Sequence, residues 1–328
     1  SIELGAEIHF FEDQLSLDFT YYKSNSINQF FPIAVPPGTG FSTRFINGGN
    51  IQNSGVEINV GYKTRDRNSF QWSSNINFTF NRNIVKSLAP SLGVKQFVLV
   101  NDINDYSSIL KVGGSYGDIY GTALERDEKS GKLMIDTSGI PIRASGLSYL
   151  GNPNPKFQMG WSNDFSYKNF TLMILFDGQE GGKAMDLTQQ MLDQLGVSKA
   201  SGVARKNGGV TVNGIVAETD APINTVSAYN WYQTVGGRGG VTGEYMYDLT
   251  NIRLREISLG YSLPKQILKN DFIKNIELSL VVRNVAFLYN KAPFDPDLIY
   301  ASQNGYNGVM IFNQPTTRNL GFTLNFTF

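Results

Sequence analysis

Thr317-Arg318-Asn319-Leu320-Gly321-Phe322-Thr323-Leu324-Asn325-Phe326-Thr327-Phe328 is the stretch on which the fold turns. Leu320, Phe322, Leu324, Phe326 and Phe328 share one face; Asn319, Gly321, Thr323, Asn325 and Thr327 share the other. A period of two predicts a β-strand. Its apolar face runs to the last residue. In a water-soluble protein such a strand is an edge open to aggregation. In a membrane barrel it is a closing strand whose apolar face meets lipid.

The same alternation recurs upstream. Strands are predicted at Ile2 to Phe11, Leu15 to Tyr22, Val56 to Tyr62, Phe70 to Asn81, Phe157 to Tyr167, Phe170 to Phe176, Leu249 to Leu263 and Ile276 to Tyr289. With the terminal strand they make nine. A phase slip near Arg255-Glu256 predicts a β-bulge, and a second change of phase falls between Val282 and Val285. Short turns follow strands one, three, five and seven. Long connections follow strands two, four, six and eight, at about 25–53, 83–155, 177–247 and 290–316. The second of these is expected to hold a hairpin turning at Glu128-Lys129-Ser130-Gly131. The third is expected to hold a short helix within Lys183 to Leu195. Sorting turns and loops to opposite ends is the habit of bacterial barrels, with turns on the periplasmic side and loops outside. About 10–12 residues rising about 3.3 Å each, tilted by about 40°, span an apolar band of about 25 Å. Tyr21, Tyr62, Phe165, Tyr167, Tyr261, Tyr289 and Phe328 sit near strand ends, where interfacial aromatic girdles are expected.

Composition agrees. The 328 residues carry 28 basic and 28 acidic side chains, so no basic excess marks a nucleic-acid surface. Charged residues are 17%, low for a soluble domain, while 22 Phe and 16 Tyr suit strands. No cysteine and one histidine, His9, leave no thiolate chemistry and no His cluster. No apolar run approaches the roughly 18–20 residues of a membrane helix. No nucleophile–base pair, phosphate loop or ligand cluster marks an enzyme, and no cofactor or metal is expected. The chain opens on Ser1-Ile2-Glu3-Leu4 inside a strand, and bacterial single-chain barrels have even strand numbers. Further strands are therefore expected before Ser1.

Four stretches carry a family resemblance. They are Asn47-Gly48-Gly49-Asn50-Ile51-Gln52-Asn53-Ser54-Gly55-Val56-Glu57, Gly151-Asn152-Pro153-Asn154-Pro155-Lys156-Phe157 and Tyr247 through Pro264 (YDLTNIRLREISLGYSLP). The fourth is the ending, Arg283-Asn284, Asp295-Pro296-Asp297 and Pro315-Thr316-Thr317-Arg318 before the terminal Phe328. In this order they resemble the C-terminal barrel part of SusC/RagA-type TonB-dependent outer-membrane transporters of Bacteroidetes. The resemblance implies an all-β transmembrane barrel of roughly 22 antiparallel strands, of which 1–328 supplies about the last nine. It implies an N-terminal plug and a TonB-contacting segment outside this chain. It implies active uptake of a large nutrient, glycan or peptide, across a Gram-negative outer membrane with a SusD-like surface lipoprotein as partner. An adhesive or structural surface β-protein binding a partner through its loops, or a passive channel, are the other readings.

Candidate ligand contacts are the loop aromatics and their amide neighbour: Tyr229, Asn230, Trp231, Tyr232, Tyr245, Tyr300 and Tyr306, with Tyr247 beside them. Flat rings with nearby amides suit sugars or peptides. The competing reading has them packing the loops or touching the lipoprotein. Asp295 and Asp297 offer two carboxylates to a cation, or an Asp-anchored turn. Asp127 to Gly131 reads as a hairpin tip. Arg253, Arg255 and Glu256 are expected as charged pairs on the barrel interior, and His9 as an inward or rim residue.

Overall fold

The computed structural model describes residues 1–34, 38, 40–41, 43–65, 70–101, 105–237, 239–268, 272–297, 306 and 308–328. Its frame is one nine-stranded sheet in sequential order. The strands are Ile2–Phe10, Leu15–Ala34, Thr43–Lys63, Gln71–Ser87, Pro155–Tyr167, Phe170–Gly181, Asn251–Ser262, Asn275–Asn290 and Asn319–Thr327. Each pairs antiparallel with the next. No helix among the described residues is long and apolar enough to cross a membrane.

Register follows the sequence pattern. Leu320, Phe322, Leu324 and Phe326 lie opposite Val282, Leu280, Leu278 and Ile276. Phe80, Phe78, Ile76 and Trp72 lie opposite Phe157, Met159, Trp161 and Phe165. This apolar face, interrupted by the Ser74–Asn163 pair, is exposed in the isolated chain, with Leu320 at 82% and Phe322 at 65%. Soluble monomers rarely leave a continuous apolar surface of this kind to water; it marks a face that meets lipid or another protein. Polar atoms on this face are paired. Trp72 Nε1 donates to Asn163 Oδ1 at 3.1 Å, and Trp161 Nε1 donates to Ser74 Oγ at 2.9 Å. Each indole thus satisfies, and is satisfied by, a polar side chain that lipid would leave without a partner. The opposite face is polar and small: Gly61 pairs with Asn75, Asn59 with Asn77 and Thr171 with Gly260.

The bulge falls where the phase slip placed it. Leu175 pairs with Glu256 and Phe176 with Leu254, so Arg255 is the inserted residue. The partner strand yields at Asn284, whose φ is 53°, between Arg283 and Ala286.

One expectation is corrected. The connection expected over 25–53 is mostly paired strand: strands two and three stay in one register from Leu15 and Tyr62 to Ala34 and Thr43. Beyond the membrane band the side chains no longer alternate by polarity, yet backbone pairing continues, because hydrogen bonds of the ladder do not depend on amphipathicity. Asn28 and Gly49 face each other with left-handed backbone, φ 56° and 83°. A Cβ at Gly49 would lie 2.6 Å from the Phe31 ring, so glycine is required there. Past this point Phe31 packs into a core with Ile51, Val85, Leu88, Phe97 and Leu110. Phe30 and Phe45 stack at 4.9 Å on the exposed side. The short helix expected within Lys183 to Leu195 is present as α1 (Leu187–Gln194), and among the described residues the connection after strand six also holds α2 (Lys199–Lys206) and α3 (Ala228–Gly236), which were not expected.

The hairpin expected near 128–131 is present. Arg126 bridges Leu133, and Ser130 N and Oγ both donate to Asp127 Oδ2 at 2.7 Å. The largest buried apolar core lies among the connections rather than behind the sheet. Ile119, Ile135, Met185, Leu187, Val235 and Val241 are among its members. The long connections after strands four and six therefore fold into a cap with its own core, at one end of the sheet.

Candidate ligand-binding site

The cap's helices are held by their ends. Asp186 accepts from Gln189 N at 2.9 Å to cap α1, Ser198 from Ser201 N at 2.9 Å to cap α2, and Ser227 from Asn230 N at 3.1 Å to cap α3. Asp193 joins the first two. One carboxylate oxygen accepts from Gln189 Nε2 at 2.8 Å and from Ser198 Oγ; the other accepts from Tyr245 Oη at 3.1 Å.

On α3 the consecutive residues 229–232 point about 100° apart, so the four do not all face one side. Tyr229 is 76% exposed. Asn230 Nδ2 donates to the carbonyls of Ser138 and Gly139, at 3.3 and 3.1 Å, and ties α3 to a neighbouring turn. Trp231 and Tyr232 are half-buried against the cap core. They line a cavity of about 990 Å³ together with Tyr245, Tyr247, Lys199 and Asn290. Tyr245 is 2% exposed and serves as the back wall. Burial and the Asp193 carboxylate raise its phenol far above the usual range. Burial, with Asp186 and Asp193 adding to it, raises Tyr247 to about 12. Both stay neutral hydroxyl donors at any physiological pH. Tyr247 meets Phe294 edge-on at 5.8 Å, and Lys291 Nζ lies 2.8 Å from Asp248 Oδ2. Tyr306 packs against the cap core, away from the cavity lining. Tyr300 lies outside the described residues. Of the aromatics expected at a site, the structure thus brings Trp231, Tyr232, Tyr245 and Tyr247 together.

Below the cap, the bulge on strand seven turns Arg253 and Arg255 toward the segment that precedes strand nine. Arg253 is 1% exposed and lies 4.1 Å over the Phe287 ring. Its Nη2 is 3.0 Å from Asp295 Oδ1 and its Nη1 is 2.9 Å from Asp297 Oδ2. Arg255 bonds Asp297 at 3.0 Å and Asp177 at 2.6 Å. Thr316 donates to Asp295, and Asn284 Nδ2 donates to the Thr317 carbonyl at 3.0 Å. Asp297 N donates to Asp295 Oδ1 at 3.0 Å, the Asp-anchored turn. No group of three or more metal-binding side chains occurs among the described residues.

No family model matches the chain. Individual proteins do. The TonB-dependent receptor P3 of Formosa agariphila is 26% identical over 342 residues, covering 98% of this chain and 32% of the receptor. The TonB-dependent receptor SusC of Bacteroides thetaiotaomicron is 27% identical over 149 residues, 42% of this chain and 15% of SusC. The RagAB peptide importer in its open-open state matches in fold with a TM-score of 0.74 at 17% identity, covering 99% of this chain and 34% of that one. Along nearly its whole length the chain is similar to TonB-dependent receptors, and its fold is similar to that of the RagAB peptide importer. It spans about a third of the length of the curated relatives it matches.

Several residues at the cavity were not singled out from sequence. Lys199 lines it from the start of α2 and Asn207 from the C-cap position just past its end. The signal for α2 was present: Ser198 as a cap, and Arg205 and Lys206 in the last turn. His9 lies between Glu7 Oε1 at 2.9 Å and Asp13 Oδ1 at 3.0 Å, half-exposed at the turn end of strand one. Glu256 pairs with Arg283 at 2.8 Å.

Proposed function

We propose that this chain is the C-terminal barrel part, 1–328, of a TonB-dependent active importer in the outer membrane of a Gram-negative bacterium. In this reading, strands and a plug outside the chain complete a barrel of roughly 22 strands. TonB supplies energy through the plug, and a SusD-like lipoprotein covers the cap. The cargo is a large nutrient, an oligosaccharide or a peptide. One observation carries the reading: a sequential nine-stranded sheet, apolar on one face, with its long connections gathered into a cap at one end. Likeness to receptors along nearly the whole chain supports it.

Within the cap, Trp231, Tyr232 and Tyr247 are the proposed ligand contacts, and Tyr229 and Tyr306 are proposed for the rim that meets ligand or lipoprotein. Asn230 and Tyr245 hold the walls. The test is uptake of candidate nutrients by cells with and without TonB and with and without the full-length protein. Uptake is expected only when both are present. Uptake that persists without TonB would instead identify a passive channel. Trp231→Ala is expected to lower uptake severalfold while barrel assembly, read as heat-modifiable migration, is unchanged.

A further inference from the structure

Beside the aromatic cavity, and sharing Lys291 with it, the cap holds a second depression. Cavities of about 980 and about 640 Å³ adjoin, sharing Tyr149, Asn152, Asn154 and Lys156, and so make one trough. Its floor lies where strands four and five part. Above the Phe80–Phe157 pair, strand four runs on to Ser87 beside strand three alone.

The wall of the trough is fixed before any ligand arrives. Val85 N donates to the Gly114 carbonyl at 2.9 Å, and Gly113 N donates to the Val85 carbonyl at 2.8 Å, pinning a turn to strand four. Asp118, buried, accepts from Ser115 N and Asn152 Nδ2, each at 2.8 Å. A Cβ on Gly114 would lie 2.5 Å from Asp118 Oδ2. Asn83 Oδ1 accepts from Tyr116 N at 2.7 Å. A surface ordered in advance loses little freedom on binding.

The trough is cationic although the chain is neutral overall. Arg82, Lys111 and Lys156 line the larger cavity; Lys156, Lys183 and Lys291 line the smaller. Its carboxylates are occupied. Asp118 is bonded as above, Glu180 meets Lys156 at 3.0 Å and Asp248 meets Lys291 at 2.8 Å. Arg82, Lys111 and Lys183 have no carboxylate within ion-pair distance among the described residues. Above them Tyr120 and Tyr149 meet edge-on at 5.5 Å, and Tyr149 is largely exposed. Asn81, Asn154 and Gln158 add amides.

We infer that this trough binds an anionic oligosaccharide, one that carries carboxylate or sulfate groups. The cations with no carboxylate partner among the described residues take the charge, the amides take hydroxyls, and the open tyrosine face takes a pyranose ring. An acidic peptide would also meet the cations, but the amides and the tyrosine platform suit a ring-built, hydroxyl-rich chain better. The inference deepens the importer reading and rests on it for its physiological sense.

The experiment is calorimetric binding to the purified full-length protein in detergent. The probes are a galacturonate oligomer, its uncharged methyl-esterified counterpart, a sulfated galactan oligomer and a poly-glutamate peptide. At least one anionic oligosaccharide is expected to bind, with the esterified form about tenfold weaker or worse. Its affinity should fall as salt rises from about 50 to about 300 mM. The double variant Arg82→Gln, Lys111→Gln should lose about tenfold toward the anionic oligomer and nothing toward the esterified one. Tyr149→Ala should weaken both. Equal binding of acid and ester forms, an unaffected double variant, or binding of the peptide alone would overturn the proposal, as would no binding of either anionic oligomer. Heat-modifiable migration controls for assembly of each variant. Uptake with and without TonB is scored separately, so a failure of the importer reading leaves the binding result standing, and the reverse.

Discussion

Arg253 is the residue on which the lower cap leans. Its guanidinium lies over Phe287 and holds Asp295 and Asp297, and it joins strand seven to the segment before strand nine. Removing one partner of a buried ion pair leaves the other uncompensated. Arg253→Ala is therefore expected to cost about 3–5 kcal/mol in unfolding of the full-length protein, whereas replacing Arg253 and Asp295 together by apolar residues of like volume should cost far less. Urea unfolding in detergent distinguishes the two. The sequence showed Arg253 and Arg255 as interior charges and Asp295-Pro296-Asp297 as a turn. It did not show that they meet, because 42 residues separate Arg253 from Asp295 and only the path of the intervening chain brings them together. The Asp248–Lys291 pair predicts a pH dependence. Burial raises the Asp248 carboxyl, but hydrogen bonds from Lys291 and Thr250 outweigh it and bring it from an ordinary 3.8 down to about 2. A depressed carboxylate stabilises the folded cap above its unfolded value and loses that contribution as pH falls. Cap stability, followed by limited proteolysis, should thus show the full cost of Asp248→Asn above about pH 5 and a cost that shrinks as pH falls and is mostly gone by about pH 2.

At the scale of the element, strands were legible and their lengths were not. Period-two patterning located all nine, and even the bulge at Arg255, because lipid on one side and a polar interior on the other force each side chain to choose a face. Above the membrane band that pressure ends. The upper halves of strands two and three carry Asn, Gly and Pro, and only backbone pairing betrays them as strand. The helices α2 and α3 are short and weakly periodic, and their caps were the stronger signal. Asn163 is a further case. It interrupts the apolar face of strand five, and the structure shows why it is tolerated: it accepts the Trp72 indole. Asn163→Val, although it raises apolarity toward lipid, is expected to destabilise by about 1–3 kcal/mol through the unsatisfied indole N–H. The double variant Asn163→Val, Trp72→Phe should recover much of that loss. Ser227→Ala, which uncaps α3, should cost about 1 kcal/mol and loosen the wall that carries Trp231.

For the whole molecule, the division of labour is between a sheet with no core of its own and a cap that has one. The sheet's outer face needs lipid, and strands one and nine each present an unpaired edge. An unpaired edge in lipid costs several kcal/mol per polar group. Residues 1–328 expressed alone are accordingly expected to aggregate or associate edge to edge in detergent, where the full-length protein gives a heat-modifiable monomeric species. Fold class was readable at this scale because loop lengths sort by side. The site was readable only in part: aromatic composition pointed to the cap, but which rings face one cavity depends on helix phase and on Asp193, neither of which a scan for aromatics can see. The tall hairpin of strands two and three has a consequence of another kind. It rises beyond strand four by six residue pairs, from Gln29–Gly48 to Ala34–Thr43, or about 20 Å, with Phe30 and Phe45 stacked on its open side. In the proposed orientation it stands on the side that an antibody or a bacteriophage approaching the cell would meet. A short epitope inserted after Gly40 should be stained on intact cells, which makes this hairpin both a handle for live labelling and a point of exposure to immune pressure.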